Sequence, residues 1–501
     1  MVYFVVHFGV GVAVAALTAL VAYLYSARAR ALPLPEISPF VPFFGHLLAA
    51  AKHHDHFIQW AEETANRIGS SWYVSIPGKP PMICIAPNPD NAEHVLKKNF
   101  GNYVKPPDAN EMLADLLGHG IFTTDGDDWL YIRKTVSPMF SLRLLKDMIP
   151  VFTKQSQLLV NRLNKLNPGV EAIDLHDMFF RYTLTAFAEI SFGQDIDGIN
   201  NDVPFASAFD RAQFGIAQRG SDALLWKWKR AFSLGSREPG VTKAVKLLDE
   251  FSYAAVRDRR QQVDRGSNPD LISRFITKAE KDGIELSDKF LRDVMMNFLI
   301  AGRDTTACTL SWTFHCLSQH PEVMKKCMEE VSQACLLVDA CFAKLGEEEG
   351  TEKCLHLTAV TMEFVNELVY MDAVLHESLR LYPAVPIDIK YALGDDTLPD
   401  GTHIPAHTRV MYSPWIFGRS EKLWGANASK FVPERWLGQP EPSQYLYIAF
   451  NAGPRLCMGK YLALIEAKIV MAMMLRQFTF QVVPGQTVHQ VGVAVFIVAS
   501  G

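Results

Sequence analysis

Along most of the chain, apolar residues recur three and four positions apart, the spacing of helices that lay one face on a core. This helical period dominates from about residue 90 to 385 and returns from 459 to about 476. Two short runs of β character precede it, "SWYVSI" at 71–76 and "MICIA" at 82–86, split by the turn residues "PGKPP". Between 383 and 450 proline and glycine recur, and "LPDGTHIPAHTRVMYS" predicts a hairpin. The tail "VGVAVFIV" predicts a strand, whereas the acidic, glycine-containing stretch at 335–358 breaks the helical pattern and is expected to be a surface insertion. The pattern is mostly α with a small β region, in one continuous body.

The N-terminus obeys neither period. Val2–Tyr25 is a run of 24 residues without Asp, Glu, Lys or Arg. As a helix it would reach about 36 Å, enough for a hydrocarbon layer of about 30 Å. It is too long for the apolar part of a signal peptide. Arg28 and Arg30 follow it, which places the body in the cytosol by the positive-inside rule. We therefore expect a transmembrane anchor at 1–27, a basic, proline-rich connector at 28–48 and a catalytic body at 49–501. In the connector, the four prolines of "LPLPEISPFVPFFGHL" remove backbone donors and stiffen the chain.

Composition narrows the function. Of 501 residues 49% are apolar, so a large core can form, and no long Gly/Ser linker divides the chain. A net charge of −5 is too balanced to suggest nucleic acid. The eight cysteines include no CxxC pair, which indicates neither a disulfide framework nor a zinc site and suits a reducing compartment.

One cysteine stands apart. In "FNAGPRLCMG", residues 450–459, Cys457 is followed by a long apolar helix pattern. A thiolate can hold haem iron from one side and leave the other side open for oxygen. The positive end of a helix favours an anionic sulfur. Gly459 would let backbone approach the sulfur and the macrocycle, and Gly453 would supply the turn that aims it. Phe450 would shield the thiolate, and Arg455 would pair a haem propionate. Within an apolar helix, "AGRDTT" at 301–306 places Asp304 and Thr305 where polar groups need partners. One reading is a helix opened locally to admit a small polar ligand and relay protons; the other is a kink with Thr305 bonded back to a carbonyl. In "HESLRLYP", Glu377 and Arg380 share a helix face. Arg435 of "FVPERW" is the third member of an expected scaffold triad. In "DDWLYIRK", Trp129 and Arg133 lie four apart, an indole and a guanidinium suited to a carboxylate.

These four elements, in this order, resemble the cytochrome P-450 superfamily of haem-thiolate monooxygenases across essentially the whole chain. The resemblance implies a triangular, mostly helical prism with a small β region. It implies haem b with Cys457 as the axial metal ligand. Asp304 and Thr305 become the proton-delivery pair, with Ala301 and Gly302 lining the oxygen groove. Trp129, Arg133, Arg455 and, with them, Lys390 of "IDIKYAL" become propionate partners.

The segments "AGRDTTACTLSW", "ESLRLYPAVPIDIKYAL", "DDTLPDG", "WGANASKFVPERWL" and "GHGIFTTDGDDWLYIRKTVSPMFS" look most like the long-chain fatty-acid ω-hydroxylase branch. From this follow O2 and NADPH-derived electrons as co-substrates, a separate flavoprotein reductase as partner, and the endoplasmic reticulum membrane as location. A lipophilic substrate would sit among Leu113, Leu116, Leu117, Ile121, Phe122, Phe298, Ala384, Val385 and Val493. Lys134 and Lys460 are candidate docking charges. The segment "LLWKWKRAFSLG" at 224–235 reads either as a lipid-touching surface or as an ordinary solvent-facing helix. The alternatives are a haem-thiolate enzyme acting on a sterol, terpenoid or xenobiotic, a reductase-independent isomerase or dehydratase, and a haem sensor.

Overall fold

The computed structural model describes residues 14–490 and 498–500, apart from 22, 24–31, 38, 42–43, 77–78, 168–170, 221–224, 233, 236, 262–269, 345–359 and 487. Its centre is the longest of the described helices, Asp288–Gln319. Ser287 caps the start by accepting from the Phe290 amide, Asp288 complements the positive helix end, and Pro321 follows the stop. Apolar residues occur almost all round it, as expected for a helix enclosed by others.

The helices that precede it include, in chain order, α1 (Phe57–Ile68), which packs against the sheet, then α2 (Pro107–Leu117), α3 (Gly126–Val136), α4 (Leu142–Leu163), α5 (Leu175–Phe192), α6 (Pro204–Ala217) and α7 (Arg237–Gln261). The central helix is α8. After it come α9 (Pro321–Lys344), α10 (Val369–Leu381) and α11 (Lys460–Leu475). One large apolar cluster joins α4, α5, α8, α10 and α11. α9 runs on to Lys344, so the helix continues about ten residues into the stretch expected to break it. Residues 345–359 lie outside the described ones.

Strands β1 (Trp72–Val74), β2 (Met82–Cys84), β3 (Tyr103–Val104) and β4 (Asp388–Ala392) precede the two short strands β5 (Asp396–Thr397) and β6 (His403–Ile404). With β7 (Arg409–Tyr412) they make a sheet in the order β1-β2-β7-β4-β3, in which only β2 and β7 run parallel. The expected hairpin is thus two pairings: β5 with β6, and β7 with β4. One side of the sheet packs with Leu96, Ile448 and Ala452, which seats residues 448–452 on a rigid support. The tail contributes β9 (Val498–Ser500), paired with β8 (Val488–Gln490), and the expected strand from 491 to 497 lies outside the described residues.

The connector is docked. Ile37 is buried, and the ring of buried His46 bonds to the Ser75 amide and the Ile37 carbonyl. Of the expected anchor, residues 14–21 and 23 are helical and exposed. Among the described residues no helix is long and apolar enough to cross a membrane.

Gly302 shows how tightly α8 is seated. A Cβ built there would collide with the Phe187 ring of α5. Replacing Gly302 by Ala should therefore lower stability by about 1–3 kcal/mol through overpacking. Adding Phe187→Leu should recover much of the loss, read as the midpoint of thermal unfolding for the single and double variants.

Candidate active site

The cysteine loop is built from two residues in the left-handed region, Asn451 and Gly453, both at φ 62°. A side chain at Gly453 would also meet the Leu96 carbonyl, so turn and packing both demand glycine. The loop closes when the Cys457 amide donates to the Phe450 carbonyl at 2.9 Å. α11 starts three residues later, and the amides of Gly459 and Lys460 point at the sulfur. Burial raises the Cys457 thiol, and those amides, with Arg133 and Lys460, only partly oppose it. A bound cation would hold this sulfur as a thiolate, because a coordinating thiol is deprotonated outright. A Cβ at Gly459 would sit 3.6 Å from the Phe140 ring and 3.9 Å from the sulfur, ordinary contact with both.

Cys457 opens on a cavity of about 490 Å³ walled by Phe140, Glu441, Tyr447, Phe450, Lys460 and Tyr461. Lys460 pairs with Glu441 and lies 5.6 Å from the Phe450 ring centre. Neither Ala301 nor Thr305 is on this wall.

The expected carboxylate-binding residues do converge. Arg455 lies 4.4 Å over the buried Trp129 ring, with Arg133 5.7 Å from the same ring. Arg133 donates to the Leu456 carbonyl at 2.9 Å, next to the cysteine. Arg455 donates to the Thr124 and Ile121 carbonyls and to Asp125 at 2.5 Å. Lys390 is buried against Asp388 at 3.0 Å; burial lowers it to about 8 while Asp388 resists. These cations are already held in the fold. An accessible sulfur, two guanidiniums, an ammonium and an indole form a donor set that fits an iron macrocycle bearing two carboxylates.

On α8 the acid and the alcohol point to different places. Thr305 and Ala301 share a partly open face, where the Thr305 hydroxyl donates to the Ala301 carbonyl at 2.6 Å. The helix stays continuous through this turn, so the back-bonded reading describes Thr305 and no local opening is needed. Gly302 is partly open as well, and its lack of a side chain admits the Phe187 ring of α5. Asp304 is buried on another side. It accepts from Gln213 of α6 at 2.5 Å and from Arg303 at 3.1 Å. Arg303 in turn pairs with Asp210 at 2.7 Å and lies over Phe180 and Phe209.

The scaffold triad is complete. Glu377 accepts from Arg380 at 2.7 and 2.8 Å, from Arg435 at 3.0 Å, from the Val432 amide and from the Trp436 indole. Burial pushes its carboxyl up, but Arg380 and the other donors outweigh that and hold it below its ordinary value.

The expected pocket residues are scattered in character. Leu116, Leu117 and Phe298 are core, Leu113, Ile121, Ala384 and Val385 are half-buried, and Phe122 is exposed at 38%. Val493 lies outside the described residues. In segment 225–232, Trp226 is buried beneath Arg219, whereas Trp228 and Phe232 stack on each other in solvent. Sequence reasoning missed Asp125, Asp388, Asn451, Gln213 and Asn297. Asn297 holds the loop before α3 by donating to the Leu117 carbonyl at 2.7 Å and accepting from the Phe122 amide. Its polar amide within an apolar helix was the available signal.

A donor set of this kind fits a haem protein, and the likeness to known proteins gives the family. The cytochrome P450 family model matches residues 35–493. Cytochrome P450 704C1 of Pinus taeda is 37% identical over 426 residues, 80% of each chain. Cytochrome P450 704B1 of Arabidopsis thaliana is 33% identical over 498 residues, 92% of each chain. Cytochrome P450 94C1 of Arabidopsis thaliana is 34% identical over 459 residues, 85% of this chain and 86% of that one. The chain belongs to the cytochrome P450 family of monooxygenases, which work with a haem iron, O2, a redox partner and a lipophilic substrate.

Burial raises Asp304 to about 6, against the pull of Arg303 and Gln213. Its folded value lies above the ordinary unfolded value of about 3.9. The ionised carboxyl therefore costs stability above about pH 6, and that cost vanishes as pH falls below about 4. Asp304→Asn should unfold at a higher temperature than wild type near neutral pH, with the gap closing as the pH drops through that window. A gap independent of pH would contradict this assignment.

Proposed function

We propose that this monooxygenase hydroxylates the terminal carbon of a long-chain fatty acid or a related lipid. The observation that carries the substrate class is the set of segments from "AGRDTTACTLSW" to "WGANASKFVPERWL", which resembles the fatty-acid ω-hydroxylase branch. The likeness to cytochromes P450 704C1, 704B1 and 94C1 supports the same branch.

Haem b, held through its iron by the Cys457 sulfur, supplies the oxygen and electron chemistry when bound. Trp129, Arg133, Arg455 and Lys390 would hold its propionates by charge and hydrogen bonds. Phe450 shields the sulfur edge. Thr305 offers a hydroxyl that hands on a proton at the open face of α8, and Asp304, held toward α6 by Gln213 and Arg303, would reach that face only on release from them. The apolar body around α8 excludes water and orients the chain of the substrate. Electrons arrive from an NADPH-dependent flavoprotein reductase. The uncharged run Val2–Tyr25 supports a single-pass anchor in the endoplasmic reticulum with the body in the cytosol.

Cys457→Ala should abolish the thiolate-type carbon monoxide difference spectrum, and its survival would remove the ligand. Thr305→Ala should keep haem yet divert NADPH to peroxide, lowering product per NADPH by about tenfold or more. The substrate test is incubation of the reconstituted enzyme with fatty acids, alkanes and sterols, followed by mass spectrometry. Terminal hydroxy acids support the reading, whereas turnover confined to sterols overturns it.

A further inference from the structure

The proton relay does not use Asp388, the residue that opens β4. Its Oδ2 accepts from Lys390 Nζ at 3.0 Å, the Tyr412 hydroxyl at 2.5 Å and the Asn451 side-chain amide at 3.2 Å. Its Oδ1 accepts from the Ile389 amide at 2.8 Å and lies 3.7 Å from Lys105 Nζ. These partners come from β4, β7, the segment after β3 and the cysteine loop. Asn451 is the loop's first left-handed residue, and its side-chain oxygen accepts from the Ala452 amide at 2.8 Å. One carboxylate thus ties the strand that carries Lys390 to the turn that aims Cys457.

Asp388 is ionised. Burial pushes its carboxyl up, but Lys105 and Lys390 outweigh that and hold it well below the usual carboxylate range. Its charge also reaches Arg455, two residues before Cys457, and steadies that guanidinium. A single fixed negative charge therefore faces two of the cations assigned to the cofactor's carboxylates.

We propose that Asp388 is a positioning residue that holds Lys390 and the first turn of the cysteine loop, and that sets the electrostatic potential at the iron. This rests on the haem-thiolate reading above. Reduction adds one electron at the iron, so a nearby fixed negative charge disfavours the reduced state. Removing that charge makes reduction easier. Removing Lys390 does the opposite, and removing both restores the balance.

The experiment is a spectroelectrochemical titration of purified, haem-loaded protein. Asp388→Asn should shift the reduction potential positive and Lys390→Met negative. Asp388→Asn with Lys390→Met should return it close to wild type, and Tyr412→Phe, which removes a hydrogen bond but no charge, should leave it unmoved. Haem transfer to apomyoglobin should be several-fold faster for Asp388→Asn, because the Asn451 tether is weakened. An unmoved potential in Asp388→Asn, or a double variant matching Lys390→Met alone, overturns the proposal. Should Asp388→Asn not fold, the comparison of Lys390→Met with the double variant decides, since the double variant removes one charge of each sign and leaves only Lys105 without this partner. Failure of the haem-thiolate reading is seen separately, as a wild-type protein without the thiolate carbon monoxide band.

Discussion

A carboxylate buried from solvent, Glu377, is what the site architecture depends on. Burying a lone charge is prohibitive, so every lone pair of that group must be met. Arg380 meets it from one turn away on α10, and Arg435, Trp436 and the Val432 amide meet it from the segment that leads to the cysteine loop. Arg380 spends its remaining donors on the carbonyls of Gly418, Ala428 and Lys430. A helix and a long irregular stretch are thereby locked together by charge, where apolar packing alone would leave the stretch without a unique path. Residues 448–452 then rest on the sheet through Ile448 and Ala452, and Cys457 is placed by a scaffold that does not itself react.

The same logic of internal pairing runs through the rest of the site. Arg455 is held by Asp125, Lys390 by Asp388, and Asp304 by Gln213 and Arg303. Each of these three charged groups has a partner within the fold, so its geometry is set before any ligand arrives. α8 divides its labour by face. Thr305 lies on the open side, and Asp304 faces α6, held by Gln213 directly and by Asp210 through Arg303.

Much of this was legible in the residues. The cysteine loop, the Glu377–Arg380 pair and the Trp129–Arg133 face depend on spacings that local geometry alone makes meaningful: one turn of helix, or a short loop before a helix start. The predominance of helix and the early β runs follow from hydrophobic period in the same way. Residues whose partners are distant in the chain gave no such signal. Asp388 meets Asn451 across 63 positions and Gln213 meets Asp304 across 91, so nothing local marks them. Nor did anything local mark the Phe187 ring of another helix, which packs where a side chain at position 302 would stand.

Sequence by itself determined which chemical groups are available and on which local faces they stand, because those follow from backbone period and residue type. Only tertiary structure decided which charges neutralise one another, which way Asp304 turns and how the connector docks through His46. Those outcomes depend on which distant segments share a low-dielectric interior, and that is settled when the core closes.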